Sequence, residues 1–570
     1  MRSEFARFAV LISLFGVLMC PKPMGLLAAT GDDTLHGSVD EALVGAELLK
    51  LADSDGEVRR DAIQWLANSK VGRVGDALEA YRLGKLYFWQ GKLVTATPVE
   101  GSGSKYLTLQ DALTGQPIYQ AEATLLDPLL VVAKADLKSL VASRKERRAV
   151  VDAVRVLALY AEDPAVRLNA VKKLGDLRNA DYIDELEEVC NQDSNDQVVF
   201  RAKESVALLQ LIDTKKDLTV RQHAAKELGE MASARAGPLI EDLLENENTD
   251  ESLRKVCQQS LAQIESYQGV VRVLGYIFSG LSLGSVLILM ALGLAIVFGQ
   301  MGVINMAHGE LMMIGAYTTY EVQQVFGHSM PDNPVNEFFW VALVVSFFTT
   351  AFVGLLMEKL IVRHLYGRPL ETLLATWGVG LMLIQIVRIR YGDNIGVNSP
   401  TWLVDGVEVF QDFHLPYNRL FIIGLTIVCV AFVYLLLNHT KRGLLLRATV
   451  QNREIAATLG VNTQYEDGFT FAFGAGLAGI AGCGLTLIGG VTPDMGQNYI
   501  VDSFLVVVTG GVGEIAGVVC AGLGLGVLNK ILEPVFSTIW GKVLILAFVV
   551  AFIQYRPAGL FPPKGRLADV

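Results

Sequence analysis

The chain is poor in the residues that carry most enzyme chemistry. It has six cysteines in 570 residues, namely Cys20, Cys190, Cys257, Cys429, Cys483 and Cys520, and only seven histidines. No Cys/His group has metal-ligand spacing, so no metal site is expected. Cys190 and Cys257 lie in the polar half, where one disulfide is possible but not a disulfide framework. A phosphate-cradling G-x-x-x-x-G-K-[ST] loop is missing, so the chain does not hydrolyse ATP by itself in the usual way. Charge is scarce as well: 19% of residues are charged, against about 25% in soluble domains. The net charge is -11 and no basic stripe stands out, which argues against nucleic acid as a partner. No nucleophile-and-base set is recognisable, and no cofactor is implied. Gly474-Ala-Gly476-Leu-Ala-Gly479 fits the dinucleotide fingerprint, yet it sits inside an apolar stretch with no preceding strand. It reads as a helix-packing surface.

What is plentiful is apolar. Hydrophobic residues make up 52% of the chain, and the mean hydropathy is +0.39. The average hides two unlike halves. Residues 31–268 are rich in Asp, Glu, Lys and Arg, whereas 269–556 hold repeated apolar runs of the length a spanning helix needs. The first 30 residues read as a secretory signal or an uncleaved anchor. Arg2 and Arg7 precede the apolar run Phe8 to Met19, and Leu27-Ala28-Ala29 offers small residues for cleavage. Either way, residues 31–268 are expected outside the membrane.

The polar half repeats a short pattern: Asp, two residues, an aliphatic, Arg, two residues, a small residue. It runs Asp55 to Ala62, Asp163 to Ala170 and Asp217 to Ala224, with a looser copy at Asp250 to Cys257. Asp caps a helix start, the aliphatic and the small residue four apart pack inward, and Arg can pair with a neighbouring repeat. The pattern resembles the HEAT family of helical repeats. Such a domain is either a docking surface or a structural spacer. Its run is interrupted at about 87–119, where glycines and prolines among β-formers predict a small strand-and-turn insert.

In the apolar half, spans are expected near 272–298, 303–325, 338–362, 370–391, 418–437, 467–490, 502–511 (short), 513–532 and 538–555. Loops 326–337 and 391–418 carry no Lys or Arg. The alternate loops do, through Arg363 and Arg368, then Lys441, Arg442, Arg447 and Arg453, then Arg556, Lys564 and Arg566. Positive loops face the cytoplasm, so this parity again puts the polar half outside. The expected fold class is therefore all-α: an exported helical repeat domain over 31–268, then a polytopic membrane domain of eight or nine spans over 269–570.

Two segments in that half stand out. Gly299 to Leu311 sets two glycines, Asn305, His308 and Glu310 between apolar stretches. Polar groups survive at membrane depth only where protein or a polar cavity surrounds them. Asn305, His308, Gly309 and Glu310 are thus candidates for a solute pathway or gate, and the alternative is that they only satisfy an interrupted helix. Thr376, Trp377 and Gln385 are further lining candidates. The second segment, Arg447 to Gly460, reads as a short amphipathic helix. Ala448, Ile455, Ala456 and Leu459 are its apolar side, Arg447, Arg453 and Glu454 its polar side, and Gly460 its exit turn.

Gly293 to Gly299 followed by Met301 to Glu310, then Glu358, Arg368-Pro369-Leu370, Arg453 to Val461, Gly510-Gly511-Val512-Gly513 and Arg556 to Phe561, resemble the conserved blocks of branched-chain amino acid ABC importer permeases. The resemblance covers about 290 residues. It implies a non-catalytic permease in a bacterial inner membrane. The implied partners are a second permease subunit, two ATP-binding subunits on the cytoplasmic side and a periplasmic substrate-binding protein. It also assigns Arg447, Arg453, Glu454, Ala456, Ala457 and Gly460 to an ATPase-coupling loop. A signal followed by a repeat domain resembles the longer permease subunit of urea ABC importers, so urea is the expected solute. A branched-chain amino acid or short-chain amide is the alternative, and a stand-alone channel or membrane-anchored sensor is the rival of another class.

Overall fold

A computed structural model describes residues 41–98, 106–118, 131–133, 136–329, 337–410 and 412–561. The signal or anchor expected over 1–30 lies outside them, as do Lys564 and Arg566. The chain divides into two units, residues 1–265 and 266–570.

The first unit is mostly helical. Among the described residues, three α-helices come first, α1 (Glu41–Leu49), α2 (Gly56–Ala67) and α3 (Gly72–Arg82). A sheet follows, built of β1 (Leu86–Trp89), β2 (Lys92–Pro98), β3 (Tyr106–Asp111), β4 (Val131–Ala133) and β5 (Lys138–Ser139). Six more helices complete the unit: α4 (Arg144–Leu157), α5 (Pro164–Asp176), α6 (Ile183–Gln192), α7 (Asp196–Ile212), α8 (Leu218–Glu230) and α9 (Gly237–Glu245).

The sheet corrects the all-α expectation. It has five antiparallel strands in the order β4-β3-β2-β1-β5, and two of them lie beyond the expected 87–119 insert. Short β-branched runs such as Val131-Val132 gain from cross-strand packing that a local reading does not see.

The repeated pattern does what its chemistry dictates, with exceptions. Asp55, Asp163 and Asp250 accept from backbone N–H groups two residues on, at 2.9, 2.8 and 2.8 Å. Asp217 makes no side-chain cap bond. The small residue is buried in each copy (Ala62, Ala170, Ala224 and Cys257), whereas the aliphatic varies: Leu253 is buried and Val166 is exposed. The arginines also divide. Arg59 reaches Glu146 at 3.0 Å and Arg167 grips Asp193 bidentately at 2.7 and 3.0 Å. Arg221 and Arg254 instead donate to the carbonyls of Leu211 and Asn246. Cys190 and Cys257 are free thiols that belong to different core clusters, so the expected option of a disulfide is not taken up.

The second unit contains most of α10 (Glu251–Met301), then α11 (His308–Ser329), α12 (Phe338–Leu360), α13 (Pro369–Tyr391), the hairpin β6 (Gly406–Phe410) and β7 (Phe413–Pro416), and α14 (Tyr417–His439). It continues with α15 (Lys441–Gln451), α16 (Arg453–Thr458), α17 (Thr463–Leu485), α18 (Met495–Gly510) and α19 (Ile515–Tyr555). Six of its helices, α10, α12, α13, α14, α17 and α19, are long and apolar enough to cross a membrane.

Several expected spans shift. α10 starts at Glu251 rather than 272, and α11 starts at His308 rather than 303. The short segment near 502–511 is a 16-residue helix of its own, α18. The two spans after it form one 41-residue helix that kinks at Ser537 (φ 64°, ψ 161°), three residues beyond Pro534. Proline removes a backbone donor and crowds the preceding turn, so the bend falls where two separate spans were expected.

α17 is the hub of this unit. It packs against α11 and α12, and its residues are almost all buried. The Gly474 fingerprint lies inside it, where a Cβ on Gly474 would meet the Gly293 carbonyl oxygen at 2.8 Å. Those glycines serve close helix approach, which the absence of a side chain allows.

Candidate functional site: a helix break and a coupling segment that share one cavity

The break between α10 and α11 spans residues 302–307. Gly302 takes φ +66°, the left-handed region that glycine enters without strain, and turns the chain out of α10. Asn305 then rebuilds the start of α11. Its Oδ1 accepts from the Ala307 N–H at 3.1 Å, and the Met306 N–H donates to Thr376 Oγ1 at 3.2 Å. These bonds satisfy donors that an interrupted helix leaves open.

Three helices grip the segment. His308 is fully buried, with Nε2 3.1 Å from the Met290 carbonyl of α10. Gly309 lies against α18 so closely that a Cβ would meet the Gly496 carbonyl oxygen at 2.3 Å. Glu310 packs on α13, where a Cβ on Gly380 would stand 3.1 Å from its carboxyl carbon. Thr376 and Gly380 lie one turn apart on the buried stripe of α13. Asn305, His308, Gly309, Glu310 and Thr376 are therefore neighbours. Trp377 (50% exposed) and Gln385 fall on the exposed flank of α13, outside this cluster.

Asn305 Nδ2, His308 Nδ1 and Glu310 Oε2 are buried and have no hydrogen-bond partner among the described residues. An unpaired buried polar group costs about 1–3 kcal/mol. Three such groups fall within six residues of the break.

The coupling segment departs from its expected form. Arg447 to Gly460 is not one helix but the end of α15, a break at Asn452, and α16. Asn452 is extended at φ -158° and caps α16 through its side chain, which accepts from the Ile455 N–H at 3.0 Å. Asparagine competes with helix through such local bonds, which is why the helix stops there. Gly460 takes φ +92°, as an exit turn requires. Ala456 is buried, whereas Ile455 and Leu459 are 55% and 79% exposed. Glu454 and Ala457 are exposed beside them, and Arg447 donates to Asn438 at 3.0 Å.

Arg442 of α15 and Arg453 of α16 clamp adjacent acids at the start of α17. Arg442 donates to Glu466 at 2.9 Å and lies over the rings of Tyr465 and Phe469, 4.9 and 5.6 Å from their centroids. Arg453 forms a two-pronged ion pair with Asp467 and stacks 4.5 Å from the Tyr366 ring. Glu358, fully buried at the end of α12, is held by Arg363 at 3.1 and 3.2 Å. Burial and then the Asp467 charge push the Tyr366 phenol well above its ordinary range, so it stays neutral.

Arg453, Asp467, Tyr366, Glu358 and Arg363 line a cavity of about 920 Å³. Gly299 and Gln300 at the end of α10 and Gly302 of the break form one part of its wall; Asn452 and Arg453 of the 447–460 segment form another. Gln300 Oε1 also accepts from Thr470 of α17 at 2.8 Å. Two segments selected separately in the sequence thus share one cavity. Asp467, Tyr366 and Gln300 were missed there. The signal that could have found the first was Glu466-Asp467, two acids opening an apolar span beside an arginine-rich loop.

Residues 276–553 match the family described as branched-chain amino acid transport system / permease component. The permease BraD of Pseudomonas aeruginosa is 27% identical over 297 residues, 51% of this chain and 96% of that protein. LivH of Escherichia coli K12 is 28% identical over 295 residues, 50% of this chain and 93% of its own. LivM of the same organism is 25% identical over 305 residues, 49% of this chain and 69% of its own. All three are named as permease proteins of high-affinity branched-chain amino acid transport systems. The match takes in the helix break, the 447–460 segment and α17, so over residues 276–553 this chain is similar to the permease components of branched-chain amino acid transport systems, which are non-catalytic transport proteins.

Proposed function

We propose that this chain is a permease subunit of an ATP-binding-cassette importer, and that it carries a small polar solute past the break at 302–310. The observation that supports this most is the cavity joining the break to Arg453 and Asp467. A separate ATPase pressing on the exposed Ile455 and Leu459 of α16 would move the Arg442–Glu466 and Arg453–Asp467 clamps, and α17 with them. α17 touches both sides of the break, at Gly293 of α10 and along α11. The drive is thus mechanical and comes from a partner. E. coli has two permeases named for one kind of system, LivH and LivM, which supports a second permease subunit here. Two ATP-binding subunits and a periplasmic substrate-binding protein complete the proposed importer. It sits in a bacterial inner membrane with the first unit, a HEAT-like repeat domain, exported.

For the solute we propose urea. The segment from Gly299 to Leu311 has no Lys or Arg to meet an amino acid carboxylate. It does have an amide donor at Asn305 Nδ2 and an acceptor at Glu310 Oε2, both unpaired. Urea offers one carbonyl and two NH2 groups, which complement that set. The second reading is a branched-chain amino acid, favoured by the names of the relatives. Uptake of labelled urea and labelled leucine by cells with and without this chain separates them. Urea uptake that depends on the chain, with leucine unaffected, is expected; the reverse result replaces urea with leucine.

A further inference from the structure

The first unit holds a feature that transport does not use. Along α4, Arg144, Arg147, Arg148, Asp152 and Arg155 fall at helical spacing on one face, opposite the buried Val150, Ala153 and Leu157. Arg82, the last residue of α3, joins them, and together they line a cavity of about 440 Å³. This corrects the expectation of no basic stripe: Arg144, Arg147 and Arg148 are close in sequence, but Arg82 and Arg155 join them only through the fold, and the whole-chain charge of -11 conceals them.

Three of the five guanidiniums are partly occupied. Arg82 pairs with Glu79, Arg155 donates to Asp152 at 3.0 Å, and Arg147 donates to the Ala142 carbonyl at 3.1 Å. Arg144 and Arg148 are exposed and make no hydrogen bond or ion pair among the described residues. Among the described lining residues one carboxylate, Asp152, stands against five arginines, and Glu79 pairs with Arg82 from outside the lining, so positive charge is in excess and like charges repel. A guanidinium is a planar fork that matches oxyanions bidentately. A singly charged ligand would leave most of the excess in place, whereas one with two or more negative charges removes it. The small volume suits a compact ion or a headgroup rather than a polymer.

We propose that this arginine-lined cavity binds a small, multiply charged oxyanion of the phosphate type. The shared chemistry is a phosphoryl group, supplied either as a free anion or as an anionic lipid headgroup. The test uses the full chain in phosphatidylcholine nanodiscs, titrated calorimetrically with pyrophosphate. Saturable binding is expected, weakening about tenfold or more in 0.5 M NaCl as screening shortens the reach of the charges. Arg144→Gln/Arg148→Gln should weaken it at least about tenfold with unchanged helix content. Lys215→Gln/Lys216→Gln, which removes the same charge elsewhere on the unit, should leave it intact. In a second arm, phosphatidylglycerol replaces phosphatidylcholine and amide exchange is followed over 144–155. Protection that the arginine variant loses identifies a headgroup as the source. The proposal is overturned if neither arm shows an effect, or if the lysine variant loses as much as the arginine variant.

Discussion

At the residue scale, burial forces each polar group to be paired or used. Glu146 is almost fully buried and accepts from Arg59 and Tyr81 at 3.0 Å each and from the Ser143 N–H at 2.7 Å. Burial pushes its carboxyl up, but the Ser143, Arg59 and Tyr81 bonds together hold it below its ordinary value of 4.5. A carboxylate with a depressed folded-state pKa stabilises the fold above that ordinary value. The contribution is lost as pH falls through the folded-state pKa. Glu146→Gln should therefore cost about 2 kcal/mol near neutral pH, with a gap to the parent that narrows in acid. Urea melts of both proteins at pH 7 and pH 3.5 measure this; a gap that is constant or widens in acid contradicts it. Gly309 is constrained by space instead. Gly309→Val drives a branched side chain into the Gly496 backbone and should cost about 2–3 kcal/mol, read as a lower melting temperature of the membrane unit. Asn305→Ala removes both the helix-start bond and the unpaired amide donor. The expected result is a rise in KM for the solute that exceeds the fall in maximal uptake rate, measured in transport assays; an unchanged KM removes Asn305 from the pathway.

At the element scale, two ion pairs tie α15 and α16 to the start of α17, and the proposed mechanism uses them as a lever. Asp467→Asn breaks the Arg453 clamp and leaves the exposed face of α16 as it was. ATPase subunits should still bind and hydrolyse ATP while uptake falls about tenfold or more. Glu454→Lys acts on the exposed face itself and should abolish uptake with membrane insertion intact; normal uptake and normal ATPase association in that variant refute the coupling assignment. The reversed pair Arg453→Asp/Asp467→Arg should recover part of the uptake that either change alone removes, a coupling that a double-mutant cycle quantifies. Much of this element was legible in advance. Runs of apolar residues mark spans through length alone, and Gly302 and Asn305 mark a break because few other residues serve there. The split at Asn452 was not legible, because helical spacing continues on both sides and only the side-chain cap ends α15. Nor was the sharing of one cavity by Gln300 and Asn452, which depends on how α10 packs on α17 through the Gln300–Thr470 bond. The sheet from β1 to β5 was seen only in part, since the pairing of β1 with β5 joins residues some fifty positions apart.

At the scale of the whole molecule, one chain combines a helical unit that carries an arginine-lined cavity with a membrane unit similar to the permease components of branched-chain amino acid transport systems. The relatives account for about half of the chain, so the first unit is what distinguishes it from them. The membrane unit supplies a break and a cavity, and its sequence holds no phosphate loop to power the proposed lever. The central claim is that solute crosses only when a partner spends ATP on the lever. The direct measurement is solute flux into proteoliposomes that contain this chain and its second permease, with and without the ATPase subunits, binding protein and ATP. The account predicts accumulation against a gradient with all parts present and negligible flux when ATP or the ATPases are left out. Rapid flux down a gradient, indifferent to ATP and to the ATPases, would contradict it.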